Sequence, residues 1–88
     1  MSGDRVLLTF GIWKSKVLGL LSELHETAEE DEKKVIRIIM KDLERAITPD
    51  MLYYFYRDVL TIRKEYPEIF NELAKVLPTN EEFISWFE

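Results

Sequence analysis
His25 is the sole histidine in a chain of 88 residues that contains no cysteine. Composition therefore excludes thiol nucleophiles, zinc-thiolate sites, disulfides and any two-histidine metal centre within one chain. Glu23, Glu26, Glu29, Glu30, Asp31 and Glu32 surround that histidine with oxygen donors, but they follow no calcium-loop spacing and lack its central glycine. They suit the start of a helix, where carboxylates complement the positive end of the dipole. Ser15, Ser22 and Ser85 lie in no Gly-x-Ser-x-Gly turn, and Gly3, Gly11 and Gly19 are too scattered to cradle a phosphate. The expectation is a non-enzyme with no catalytic residue, no metal ligand and no cofactor.

Four groups of residues are better suited to binding. Tyr53, Tyr54, Phe55 and Tyr56 are consecutive. Four successive helical residues point in four directions, so at least one of these rings must lie outside a core. The spacing makes Phe55 a core residue, Tyr54 the most outward and Tyr53 intermediate. Beside Arg57 they have the aromatic and arginine character enriched at protein interfaces. Lys34, Arg37, Lys41 and Arg45 form a basic row on the outer face of their helix, suited to an acidic partner surface or simply to solvent. Near the C-terminus, Phe83, Trp86 and Phe87 alternate with acids; they either dock on a partner or plug the end of the domain. Gly11, Ser15, Gly19 and Ser22 fall on one line of the first helix, flanked by Leu8, Ile12 and Leu18. Two glycines inside a helix are tolerated most easily where another backbone comes close, so both sides of that helix are expected to be packed by the bundle, the alternative being a groove for a partner helix or a second copy of the chain.

The elements that carry these groups follow from helical periodicity. Val6, Phe10, Trp13, Val17, Leu20, Leu21 and Leu24 define a first amphipathic helix from Asp4 to about Glu26. Thr27 with Glu30 reads as a capping box, starting a second helix to about Ala46 whose stripe is Ala28, Val35, Ile36, Ile39, Met40, Leu43 and Ile47. On its outside, Glu29 with Lys33 and Glu30 with Lys34 form favourable pairs. Thr48-Pro49-Asp50 reads as cap, first-turn proline and acidic turn of a third helix, with Leu52, Phe55, Tyr56, Val59, Ile62 and Tyr66 inward. Pro67 breaks or kinks it; helical spacing resumes from Ile69 to Leu77, and Thr79 to Glu82 starts a short last segment. Strand-like alternation is absent from the sequence. The expected fold is all-α: one domain over residues 1–88, a compact bundle of about four amphipathic helices with a short C-terminal helical segment.

Charge narrows the partners. The net charge of −5 divides as zero over residues 1–26, −1 over 27–47, zero over 48–66 and −4 over 67–88. Long-range attraction to nucleic acid is therefore not expected, which argues against a helix-turn-helix DNA binder. No window approaches the roughly 18 uninterrupted apolar residues of a membrane span, and no basic flank leads into a signal-peptide core, so a cytoplasmic protein is expected. The chain has no glutamine, two asparagines (Asn71 and Asn80) and many Glu, Lys and Arg residues, the direction taken by hyperthermophile proteins.

With this whole-chain profile and the opening Met1-Ser2-Gly3-Asp4-Arg5-Val6-Leu7-Leu8, the sequence resembles the small helical accessory subunits of the archaeal replicative B-family DNA polymerase holoenzyme, the polymerase-binding proteins. The resemblance spans the chain but rests on no diagnostic motif, and it transfers no functional residue. It implies a non-catalytic subunit that binds a large polymerase chain and stabilises the assembly. The alternative drawn from the residues alone is a stand-alone helical adaptor or regulator, with a homodimer as one form.

Overall fold
The computed structural model describes residues 2–87, with side chains from Arg5 to Phe87. Met1 of the opening run and Glu88 of the C-terminal run lie outside them. Five helices follow one another: α1 (Ser2–Thr27), α2 (Glu30–Arg45), α3 (Tyr53–Glu65), α4 (Pro67–Ala74) and α5 (Asn80–Ser85). A 3-10 turn, Pro49–Leu52, leads into α3. Strands are absent among the described residues, and the all-α bundle expected from periodicity is the fold observed.

Short links make sequential neighbours antiparallel. Lys14 of α1 reaches the end of α2, donating to the carbonyls of Glu44 (3.0 Å) and Ala46 (2.8 Å). At the opposite end, Leu24 of α1 shares a depression with Ile36 of α2. Asp42 of α2 meets Asp58 of α3, and Asp31 meets Tyr66 just beyond α3. Helix α4 then returns between α3 and α1, which closes the ring α1–α2–α3–α4. Lys14 also places a cation on unpaired carbonyls where α2's dipole is negative.

Phe10, Trp13, Val17 and Leu21 of α1 enter the core against Ile36, Ile39 and Leu43 of α2, Phe55, Val59 and Ile62 of α3, and Ile69 and Leu73 of α4. Helix α5 closes one end. Thr79 caps it as expected: its hydroxyl accepts the Glu82 amide at 3.1 Å, and the Glu82 carboxylate accepts the Thr79 amide at 3.1 Å.

Several boundaries differ from the expected ones. Helix α1 continues through Thr27, so the cap of α2 shifts to Glu29, whose amide donates to the Glu32 carboxylate at 2.9 Å. The first-turn ion pair is Lys33 with Glu30 at 3.9 Å, one residue closer than the expected spacings. Ile47 is exposed because α2 has already ended; Ala46 takes the buried position. The Thr48 hydroxyl is directed to the Asp50 carboxylate rather than to a backbone amide.

The largest correction concerns α1. Its outer face is not packed within the bundle: Leu8 is 64% and Ile12 63% exposed, and Ser15, Gly19 and Ser22 are exposed with them. A methyl group built on Gly11 or Gly19 meets nothing within 4 Å. Four helices in a ring give each helix neighbours on its inner half only, so the glycines admit no neighbouring backbone of this chain. The accessible area of 6159 Å² also exceeds the roughly 5,400 Å² typical of a compact monomer of this mass. Replacing Gly11 and Gly19 together with alanine should therefore raise stability by about 1 kcal/mol per site, seen as a higher midpoint in thermal unfolding. A lowered midpoint would mean that another backbone occupies this face in solution.

Candidate functional site
Helix α3 points its core stripe, Phe55, Val59 and Ile62, inward. At 100° per residue the opposite direction runs through Tyr53, Arg57, Leu60 and Lys64, all exposed. Tyr53 is 69% and Tyr54 54% exposed, so the order expected between them is reversed. Tyr56 is only half-buried on the α5 side, against Phe83 at 5.7 Å, and this rotates the core direction so that Tyr53 stands outermost. Burial pushes the Tyr56 phenol up to about 12.

Tyr54 leans toward α2. The antiparallel pairing brings it, Tyr53 and Arg57 to Arg45 and Asp42 of α2 and to Asp50 and Met51 of the 3-10 turn, around a cleft of about 520 Å³. The Arg57 guanidinium lies 4.9 Å from the Tyr54 ring centre, a cation–π contact that holds both side chains in place. Tyr53 and Tyr54 meet edge to face at 5.3 Å. Four residues singled out for binding thus converge: Arg45, Tyr53, Tyr54 and Arg57.

Asp42, Asp50, Met51 and Asp58 were not singled out. Their signal was arithmetic: a short link centred near residue 50 pairs positions whose numbers sum to about 100. Asp42 and Asp58 are such a pair, at the junction of α2 and α3. Asp58 is half-exposed, but its Oδ2 is enclosed beside the Asp42 carboxyl with no hydrogen-bond partner. Burial first, then hydrogen bonding to Asp42 and its charge, push Asp58 up from 3.8 to about 7, against the opposing pull of Arg57.

The sign of the resulting pH effect is fixed. Between pH 4 and 7 the folded state holds a proton that the unfolded chain has released, so the pair's contribution to stability is complete below about pH 4 and is lost as pH rises through 7. Asp58→Asn should flatten this part of the stability profile and stabilise the protein above pH 7. Because the side chain is still partly exposed to water, the gain is about 1 kcal/mol. Urea unfolding at pH 5 and pH 8 reads it, and parallel profiles for the two proteins would refute the upward shift of Asp58.

The remaining expected residues are dispersed. Lys34, Arg37 and Lys41 are exposed on α2, in line with Arg45 but outside the cleft. Trp86 is buried, at 6% exposure, against Phe10 (5.5 Å) and Trp13 (5.4 Å), so it is a core plug rather than a free docking residue. Phe83 is half-buried beside it, and only Phe87 is exposed. Among the described residues no three His, Asp or Glu side chains are grouped to hold a metal, and no helix is long and apolar enough to cross a membrane. The His25 Nε2 is enclosed without a hydrogen-bond partner.

Against family models, curated proteins and solved structures, the chain has no match. A functional reading therefore rests on the chemistry of its own surface. The α2–α3 cleft offers two guanidinium groups, two tyrosines and a methionine on rigid elements, a composition suited to gripping a protein.

Proposed function
We propose that this chain is a non-catalytic, protein-binding accessory subunit that docks on a larger partner through the α2–α3 cleft. The observation that carries the reading is the convergence of Tyr53, Tyr54, Arg57 and Arg45 in one place, with the rings exposed and the Arg57–Tyr54 pair already formed. Aromatic and arginine side chains fixed before binding lose little freedom on contact, so they supply much of the affinity at an interface. The resemblance in sequence implies a DNA replication enzyme, the catalytic subunit of a polymerase holoenzyme, as the partner.

The test is purification from native extract with mass spectrometry, using wild type and the Tyr53→Ala/Arg57→Ala variant. Wild type should bring down a stoichiometric larger protein. The variant should lose it, by 30-fold or more in affinity if each residue contributes about 1 kcal/mol or more, while its fold stability changes by about 0.5 kcal/mol or less. Recovery of wild type alone would count against the reading.

A homodimer is a second reading, favoured by the exposed, uncharged run on the outside of α1. A two-fold axis beside Ser15 would set Gly11 opposite Gly19 of the other copy and bring Arg5 near its Glu23. Light scattering separates this reading from the first, because a monomer across the micromolar range removes it.

A further inference from the structure
The cleft is the centre of a larger face with a consistent chemistry. Along α2, Lys34, Lys41 and Arg45 are exposed on the outer side, spanning about 16 Å, or three helical turns. Along α3, Arg57 and Lys64 are exposed on the outward ridge. Among the described residues the only ion pairs are Lys33 with Glu30 and Lys75 with Glu72, so none of these five cations is paired with a carboxylate among them. Exposed carboxylates stand toward the ends of the face: Asp50, which accepts the Thr48 hydroxyl, at one end, and Glu30, Asp31 and Glu65 at the other. The Asp42–Asp58 pair is half-buried between the helices, below the level of the exposed cations.

Apolar groups accompany the cations. Ile38 of α2, Met51 and Ile47 of the link, and Leu60, Tyr53 and Tyr54 of α3 are all exposed, and they make up more than half of the exposed large hydrophobics among the described residues. The chain's acidity lies elsewhere, with Glu68 and Glu72 on α4 and Glu81 and Glu82 on α5. An acidic molecule that exposes a cationic, apolar face is complementary to a ligand that is negative and greasy at once. Nucleic acid supplies the negative charge but not a match for Ile38, Leu60 and Met51, and one face of Tyr54 is already covered by Arg57.

We infer that the α2–α3 face binds an acidic amphipathic helix of a partner protein, laid along the two helices with its apolar stripe on Ile38, Tyr54 and Leu60 and its carboxylates on Arg45, Lys41, Arg57 and Lys64. The inference rests on the protein-binding reading above and adds the chemistry of the partner. Helix-in-groove recognition of this kind takes its affinity from apolar anchors and its choice of partner from the flanking charges.

The experiment uses the whole chain, isotopically labelled, and three probes: an 18-residue helical peptide with a leucine and phenylalanine stripe flanked by glutamates, the same stripe flanked by lysines, and a 20-base-pair duplex DNA. The acidic peptide should bind in the micromolar range and shift amide resonances of α2 and α3 but not of α5. It should bind at least tenfold more tightly than the lysine peptide and weaken as salt is raised. Arg45→Glu/Arg57→Glu should lower its affinity at least tenfold while leaving the spectrum folded. Equal binding of both peptides, shifts centred on α1 or α5, or tighter binding of DNA would each overturn the inference. A co-purifying protein that depends on Tyr53 and Arg57, together with no response to the acidic peptide, would overturn it while leaving the protein-binding reading standing.

Discussion

Replacing Trp13 with alanine should remove a large share of the protein's stability. The indole is buried where three elements meet, stacked beside Phe10 at 6.0 Å, edge-on to Phe55 at 5.8 Å and tilted against Trp86 at 5.4 Å. Its Nε1–H donates to the Val76 carbonyl at 2.7 Å, which ties α1 to the stretch after α4. Truncating a buried aromatic costs about 3–5 kcal/mol, and the carbonyl left without its donor adds about 1 kcal/mol. A chain of this length is stable by only about 4–13 kcal/mol in total. Trp13→Phe, which keeps most of the ring contacts and loses the hydrogen bond, should cost about 1–2 kcal/mol. Urea unfolding followed by far-ultraviolet circular dichroism measures both. A loss below 1 kcal/mol for Trp13→Ala would mean that this end of the bundle is not packed around the indole.

Trp13 also illustrates what periodicity makes legible. Phe10, Trp13, Val17 and Leu21 repeat at three- and four-residue intervals, so the inward face of α1 follows from spacing alone, and each of these residues is buried. Phe55 and the Thr79–Glu82 cap were readable for the same reason: both depend on neighbours within one or two turns. The hydrogen bond from Trp13 to Val76 crosses 63 positions, and no local pattern announces it. The outer face of α1 misled in an instructive way. Glycines at helical spacing are compatible with a close neighbour, but whether one arrives depends on how many helices surround α1, and that is a property of the closed ring.

The candidate site was half legible. Side-chain type drew attention to Tyr53, Tyr54, Arg57 and Arg45, since rings and guanidinium groups on outward positions stand out in any helical projection. Their convergence, and the entry of Asp42 and Asp58, depended on pairing two helices in register. The short link fixes that register to within a turn, but not the rotation of each helix about its axis. A rotation of α3 by some tens of degrees separates the expected order of Tyr54 over Tyr53 from the observed one. Half-burial of Tyr56 against Phe83 of α5, an element 27 residues later, sets that rotation.

The C-terminal aromatics give the second large effect, through a contrast between neighbours. Trp86→Ala should cost about 3–5 kcal/mol, whereas Phe87→Ala should cost about 1 kcal/mol or less, because Phe87 is 54% exposed, with its ring centre 5.0 Å from that of Phe83. A helix of six residues does not persist in water without tertiary support, so α5 is held by the Thr79–Glu82 cap and by the wedge of Trp86 against Phe10 and Trp13. Without the wedge, Phe83 should leave Tyr56 and the Trp13 indole should become wet. Tryptophan fluorescence of the Trp86→Ala protein should therefore shift to longer wavelength before global unfolding, and hydrogen exchange at Trp13 Nε1 should quicken. Equal costs at positions 86 and 87 would contradict the orientation of α5. A Phe87→Ala protein that folds normally but loses its partner would instead extend the docking surface to this end of the bundle, beyond the α2–α3 face.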